Sequence, residues 1–303
     1  MQNKIIEKIK TLKINKDAFI LAHLYQSKEI QQIADFVGDS FELAKKAKEV
    51  INSVIVFCGV DFMAESAKIL NHTKTVLLPV LDASCPMADM ITADDVIALK
   101  KKYPNATVVC YVNTSAQVKA VCDVCCTSSN AVKIVNALPN KQIIFVPDEN
   151  LGSFVAQQIK DKEIILYSGY CIVHKRVTVN DLELAKNAHP NAKILVHPEC
   201  VDEIIKMADF AGSTGQILNF VKNSNENEFI IGTEQGILYP LQEQNKNKTF
   251  YLLTPKLLCV NMKKTHLEDV LRCLETNTYE ITISEDIINK AKNSLNKMME
   301  LSK

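Results

Sequence analysis

The chain carries no surplus of charge of either sign: 35 Lys and Arg face 35 Asp and Glu, for a formal net charge of zero. Bulk electrostatic attraction to nucleic acid or to an anionic membrane is thereby excluded, although a local basic patch is not. No apolar run approaches the roughly 18 residues of a membrane-spanning helix. The opening Met1-Gln2-Asn3-Lys4 lacks the apolar stretch of a signal peptide. A cytoplasmic location is therefore expected, with neither membrane nor nucleic acid as a partner. Glycine is scarce, eight in 303 residues, and no Gly/Ser/Pro-rich stretch interrupts the sequence, which excludes domains strung on flexible linkers.

What the chain does have is apolar content, 47% hydrophobic, enough to bury a large core. It also has ten cysteines, at 58, 85, 110, 122, 125, 126, 171, 200, 259 and 273. In a reducing cytoplasm these are not disulfides, so each is either a small buried hydrophobe or a metal ligand.

Short β-branched runs alternate with helical patterns, which predicts parallel α/β units. Nine strands are expected: Ala18–Ala22, Val54–Phe57, Thr75–Pro79, Thr107–Tyr111, Gln142–Val146, Glu163–Tyr167, Lys193–Val196, Glu228–Ile231 and Thr249–Leu253. Helices are expected over Phe41–Val50, Phe62–Leu70, Ala131–Leu138 and Ile217–Lys222, with a closing amphipathic helix from Ser284 to Leu301.

The strands fall into three sets of three, and four sets of positions recur with separations near 87. His23, Tyr111 and His197 end the first strands, 88 and 86 residues apart. Ser40, Ser128 and Thr214 open helices at the same separations, as do Gly59, Pro147 and Thr233 after the second strands. Cys85, Cys171 and Cys259 follow the third strands, 86 and 88 apart. The expected architecture is three similar three-layer α/β/α domains with parallel sheets, related by pseudo-threefold symmetry about a central active site. Their expected bounds are 1–103, 104–190 and 191–277, with 278–303 packing back on the first repeat.

Ligands of open parallel sheets bind beyond the carboxyl ends of the strands, so three such ends facing one centre would assemble the recurring residues. Three helix starts would present N–H groups to a ligand with several carboxylate or phosphate groups. One loop cysteine per repeat makes a tripod of thiolates. A four-iron cubane held by three ligands keeps one iron open; a zinc ion with an open fourth position fits the same spacing. Cys122-Asp123-Val124-Cys125-Cys126 contains a competing C-x-x-C but has no equivalents in the other repeats, and it reads as a packed segment.

These residues carry a resemblance over essentially the full length. Ala22-His23-Leu24-Tyr25-Gln26, Gly38-Asp39-Ser40, Cys58-Gly59-Val60-Asp61-Phe62-Met63-Ala64-Glu65-Ser66, Cys85-Pro86-Met87-Ala88-Asp89-Met90, Tyr111-Val112-Asn113-Thr114-Ser115, Thr127-Ser128-Ser129-Asn130, Gly169-Tyr170-Cys171-Ile172-Val173-His174, His197-Pro198-Glu199-Cys200, Gly212-Ser213-Thr214, Gly232-Thr233-Glu234 and Cys259-Val260-Asn261-Met262 occur in this order. The series resembles the quinolinate synthase A family of NAD biosynthesis. The resemblance implies condensation of iminoaspartate with dihydroxyacetone phosphate to quinolinate, releasing phosphate and two waters. It implies one [4Fe-4S] cluster per chain on Cys85, Cys171 and Cys259, the three the repeat picks out. It assigns substrate contacts to His23, Ser40, Tyr111, Asn113, Ser128, His197, Glu199, Ser213 and Thr214. Catalysis falls to Tyr25, Glu199, His23 and His174. An aspartate oxidase or dehydrogenase is the implied supplier of the short-lived imine, through transient contact. The sequence departs from the family at Asn71, where Pro is frequent, and lacks the C-terminal C-x-x-C-x-x-C of some relatives.

In a closed, partly apolar cavity the Glu199 carboxyl is expected to have a raised pKa suited to moving protons. Lys263 and Lys264, after Cys259, are either an attraction for phosphate or a solvated pair. The alternatives to be separated are another cluster-dependent hydro-lyase of the aconitase kind, and a binding protein with structural zinc.

Overall fold

The computed structural model of the chain describes residues 2–303. Twelve strands among those residues form three four-stranded sheets in which every pairing is parallel. The first sheet is built from β1 (Ala18–His23), β2 (Phe36–Gly38), β3 (Val54–Cys58) and β4 (Thr75–Leu77), in the order β2-β1-β3-β4. The second has β5 (Thr107–Tyr111), β6 (Val124–Cys126), β7 (Gln142–Val146) and β8 (Glu163–Leu166), in the order β6-β5-β7-β8. The third has β9 (Lys193–Val196), β10 (Phe210–Ala211), β11 (Glu228–Gly232) and β12 (Thr249–Leu252), in the order β10-β9-β11-β12. One topology is thus written three times, and the stretch carrying each sheet is called a unit below.

Helices cover both faces of such sheets, so central strands can be apolar throughout. Thr-Val-Val-Cys-Tyr of β5 is buried at every position. The nine expected strands are all present, most within a residue of their expected ends. The three unexpected ones, β2, β6 and β10, are edge strands of two or three residues. The Cys122–Cys126 stretch is buried as expected. Its strand β6 nevertheless has counterparts in β2 and β10, which corrects the expectation that the segment stands alone.

The expected helices are found as Ser40–Glu49, Asp61–Leu70, Ala131–Ala137 and Thr214–Asn223. The closing helix is Glu285–Leu301, entered from Ser284. Its buried face (Ile288, Ala291, Leu295, Met298) does not rest on the first unit alone. The Ser294 hydroxyl donates to the Lys119 carbonyl at 2.9 Å and accepts from the Cys125 thiol at 3.4 Å, both in the second unit. Ala291, Leu295 and Met298 join one apolar core with Leu43 and Phe57 of the first unit and Val124 and Ile134 of the second. The helix therefore wedges between two units, which corrects its expected packing on the first. The third unit keeps separate cores around Ile194 and Ile230 on one face of its sheet and Leu195 and Phe229 on the other. Leu295 is fully buried, so Leu295→Ala should lower stability by about 2–5 kcal/mol, read as a shift of the denaturant midpoint.

Candidate active site

The carboxyl ends of the strands converge on one cavity of about 140 Å³. Of the residues singled out in the sequence, His23, Tyr25, Ser40, Cys85, Tyr111, Asn113, Ser128, Cys171, His174, His197, Glu199, Thr214 and Cys259 line it. Ser213 does not. Its hydroxyl accepts the Gln216 N–H at 3.2 Å and caps a helix, and the residue borders a separate outer groove. The same one-residue offset holds at Ser40: Asp39 caps that helix, and Ser40, the first helical residue, turns to the cavity. In the second unit the cap is Asn130, whose side-chain oxygen accepts the Thr127 N–H at 2.6 Å, leaving Ser128 free for the cavity.

His23 and His197 repeat one local device. Each strand ends in a turn whose backbone N–H two residues on donates to the ring Nδ1, from Tyr25 at 3.1 Å and from Glu199 at 3.3 Å. Each ring is therefore held with Nδ1 as acceptor and Nε2–H as donor. Burial, reinforced by Lys263 and His197, lowers the His23 pKa to about 3. Burial also lowers His197 to about 3, against the pull of Glu199. Both are neutral donors for a carboxylate or carbonyl oxygen.

Glu199, 4% exposed, is where the acid–base groups meet. Burial pushes its carboxyl up, but the His197 and His174 rings, with hydrogen bonds from His174 and Tyr111, outweigh that and hold it below the ordinary value. The expected upward shift is thus reversed: the adjoining His197 and His174 rings, with the hydrogen bonds from His174 and Tyr111, favour the ionised form more than burial penalises it. The Tyr111 hydroxyl donates to Oε1 at 2.6 Å, and His174 Nδ1–H donates to Oε2 at 2.7 Å. With that tautomer, assigned from the network, His174 Nε2 accepts from the Thr233 hydroxyl at 2.9 Å. The Thr233 oxygen accepts from the Tyr25 phenol at 2.7 Å, and the Tyr25 oxygen accepts from the Thr214 hydroxyl at 2.9 Å. Burial, and then the Glu199 charge, push both Tyr25 and Tyr111 well above the usual phenol value, so both keep their protons. An unbroken line of donors therefore runs from Tyr25 through Thr233 and His174 to Glu199. Asn113 Oδ1 is buried without a partner, a polar atom left for a ligand.

The three loop thiols share the cavity rim. Burial pushes Cys85 up to about 12 and raises Cys171 and Cys259, so each is a thiol until a cation displaces its proton. Two thiolates on one zinc ion, each about 2.3 Å from it, cannot be more than about 4.6 Å apart. Among the described residues, the sole trio of donor atoms drawn within 4.8 Å of one another is Cys171, His174 and Glu199, not the three thiols. The three thiols are thus not drawn together as one zinc ion would draw them, although all three line the same cavity. The tighter trio could hold a metal ion, but its closeness follows from the His174 Nδ1–H, which faces Glu199 at 2.7 Å and the Cys171 sulfur at 3.3 Å.

Each thiol loop is tethered. Asp148 Oδ2 accepts the Cys171 N–H at 3.2 Å, and Glu234 Oε1 accepts the Cys259 N–H at 3.2 Å. These carboxylates are repeat equivalents 86 residues apart; the first unit has Val60 in that place, and there Asn261 of the third unit donates to the Ser84 carbonyl at 2.8 Å. The lysines after Cys259 differ, one held inward and the other paired at the surface. Lys263 is ion-paired to the buried Glu234 at 3.0 Å, and Lys264 to Asp82 at 2.8 Å.

Thr233, Asp148 and Glu234 are the functional candidates that sequence reasoning missed. The signal existed, because position 233 and its equivalents follow the second strands, at the ligand-binding ends of the sheets.

Fold and site define a class: an α/β enzyme of three like units, whose shared cavity sets acid–base side chains beside a group of thiols able to take metal. Comparison with known proteins places it more closely. The sequence profile of the family described as quinolinate synthetase A protein matches residues 7–300. A quinolinate synthase of Caldicellulosiruptor saccharolyticus is 56% identical over 299 residues, covering 99% of both chains. One of Clostridium kluyveri is 54% identical over 297 residues, 98% of both. One of Clostridioides difficile is 48% identical over 302 residues, 100% of this chain and 99% of that one. The chain belongs to the quinolinate synthetase A family.

Proposed function

We propose that this chain condenses iminoaspartate with dihydroxyacetone phosphate to quinolinate, releasing phosphate and two waters; the product is the one its relatives are named for. The observation that carries the reading is that three thiols from three equivalent loops share one cavity with the Tyr25–Thr233–His174–Glu199 line. Cys85, Cys171 and Cys259, one from each equivalent loop around the cavity, would hold a [4Fe-4S] cluster; when bound, it supplies a Lewis-acidic iron with an open position.

The protein's own groups do the rest. The Nε2–H groups of His23 and His197 hold substrate carboxylate or carbonyl oxygens, and Asn113 fixes a further one. Ser40, Ser128 and Thr214 receive anionic groups at the helix starts. Glu199, held as a carboxylate, takes the proton released in imine-to-enamine exchange and ring closure. The Tyr25 phenol, kept protonated by burial and held in line with Glu199 by Thr233 and His174, gives its proton to a departing oxygen and regains one from water after product leaves. Walls such as Val60, Phe62, Met63 and Met87 keep water from the hydrolysable imine. The three units take the bounds 1–103, 104–190 and 191–277 in this reading. Among the described residues, no helix is long and apolar enough to cross a membrane. A cytoplasmic setting suits ten free thiols. An aspartate oxidase or dehydrogenase nearby would hand over the imine before it decays.

Anaerobic purification followed by metal and product analysis tests the proposal. A brown protein with about four irons per chain, turning the two substrates into a pyridine dicarboxylate, is expected. A colourless zinc protein that forms none would refute it, and an iron protein active only on hydroxy acids would point to an aconitase-like hydro-lyase instead.

A further inference from the structure

Asp39 stands in the wall between the central cavity and the outer groove, lining both, and is 7% exposed. One oxygen serves its own helix: Oδ1 accepts the Phe41 and Glu42 N–H groups, both at 3.0 Å. The Glu42 carboxylate completes the capping box by accepting the Asp39 N–H at 2.9 Å. That half is ordinary N-capping, which Ser, Thr or Asn would perform equally well.

The other oxygen has no business with that helix. Oδ2 faces the start of the Thr214–Asn223 helix in the third unit, where the Ser213 hydroxyl donates to it at 3.4 Å. The approach is so close that a Cβ at Gly215 would lie 2.8 Å from Oδ2. Two helix N-termini, each with about half a positive charge, would repel if brought together bare. Here a single buried carboxylate lies between them. The residues next to the two caps, Ser40 and Thr214, are the ones that face the cavity.

We infer that Asp39 is a positioning residue and an inter-unit latch. Its carboxylate clamps the first and third units so that Ser40 and Thr214 address the same substrate anion, and it seals the seam between cavity and groove. The substrate half of this inference rests on the function proposed above; the latch itself does not.

The test uses Asp39→Asn, Gly215→Ala and the double variant, prepared anaerobically with their metal. Asparagine keeps the Oδ1 cap but turns an amide NH₂ toward the Ser213 hydroxyl and the Gly215 backbone. Alanine leaves the Ser40–Glu49 helix untouched and drives a methyl against Oδ2. Each single variant should raise the KM for the anionic substrates by about 10- to 100-fold, the scale of a lost charge-assisted hydrogen bond, with kcat changed far less. Amide exchange of residues 213–217 should accelerate by a similar factor, and the double variant should be no worse than the worse single, because both cut one contact. Wild-type KM in both single variants overturns the positioning role. Wild-type exchange at 213–217, or effects that simply multiply in the double variant, overturns the latch. If the unmodified protein made no pyridine product, the proposed function would fall while the exchange measurement still decided the latch.

Discussion

Cys171→Ser protein is expected to fold, to lose iron, and to lose more than about 100-fold in turnover. Serine is close to cysteine in size, and the Asp148 tether acts on the backbone N–H of residue 171 rather than on its side chain, so the loop should keep its place. What disappears is one corner of a tripod that has no spare donor of the same kind. Replacing a residue that merely supports a metal ligand already costs about 10- to 100-fold, and removing the ligand itself should exceed that. Cys125→Ser is the matched control: Cys125 is fully buried in β6, outside the cavity, and its variant should retain iron and much of the activity. Iron content, visible absorption and product formation are measured on both proteins side by side. Substantial turnover by Cys171→Ser with its full complement of iron would remove Cys171 from the metal site.

The second large effect is expected at Glu199. Glu199→Gln preserves shape but cannot be an acceptor on both oxygens, and one of its neighbours, the Tyr111 hydroxyl or His174 Nδ1–H, would face an NH₂ group. Loss of a positioned base typically costs about 10²- to 10⁴-fold, and kcat should fall in that range while iron content stays at the wild-type level. Thr233→Val, which severs Tyr25 from His174 without touching Glu199, should lower kcat by a smaller factor. A Glu199→Gln protein with wild-type kcat would show that the carboxylate only holds the cavity together.

The first strands, the helix starts and the loop cysteines were legible because each recurs at a fixed spacing and in one residue class. His23 and His197, or Cys85, Cys171 and Cys259, announce themselves that way. The edge strands were not, since Phe210–Ala211 is too short for any periodicity to register and is held by its register against β9. Ser213 and Thr214 are not told apart in the sequence for a similar reason: both offer a hydroxyl, and backbone geometry alone decides which caps the helix and which lines the cavity. The Glu199 shift came out reversed because its sign depends on the adjoining His197 ring together with His174 and Tyr111 of the second unit, which only the fold brings against it. Thr233 joins residues 25 and 174, an association only the folded chain creates.

The wedge made by the closing helix has a consequence for how the molecule is made. The apolar seam between the first two units lacks Leu295 and Met298 until the Glu285–Leu301 helix leaves the ribosome, about 170 residues after β6, which it covers. Until then that seam lies open to water, and a stop codon or a protease cut near residue 284 would unroof the beginning of the protein rather than trim its tail.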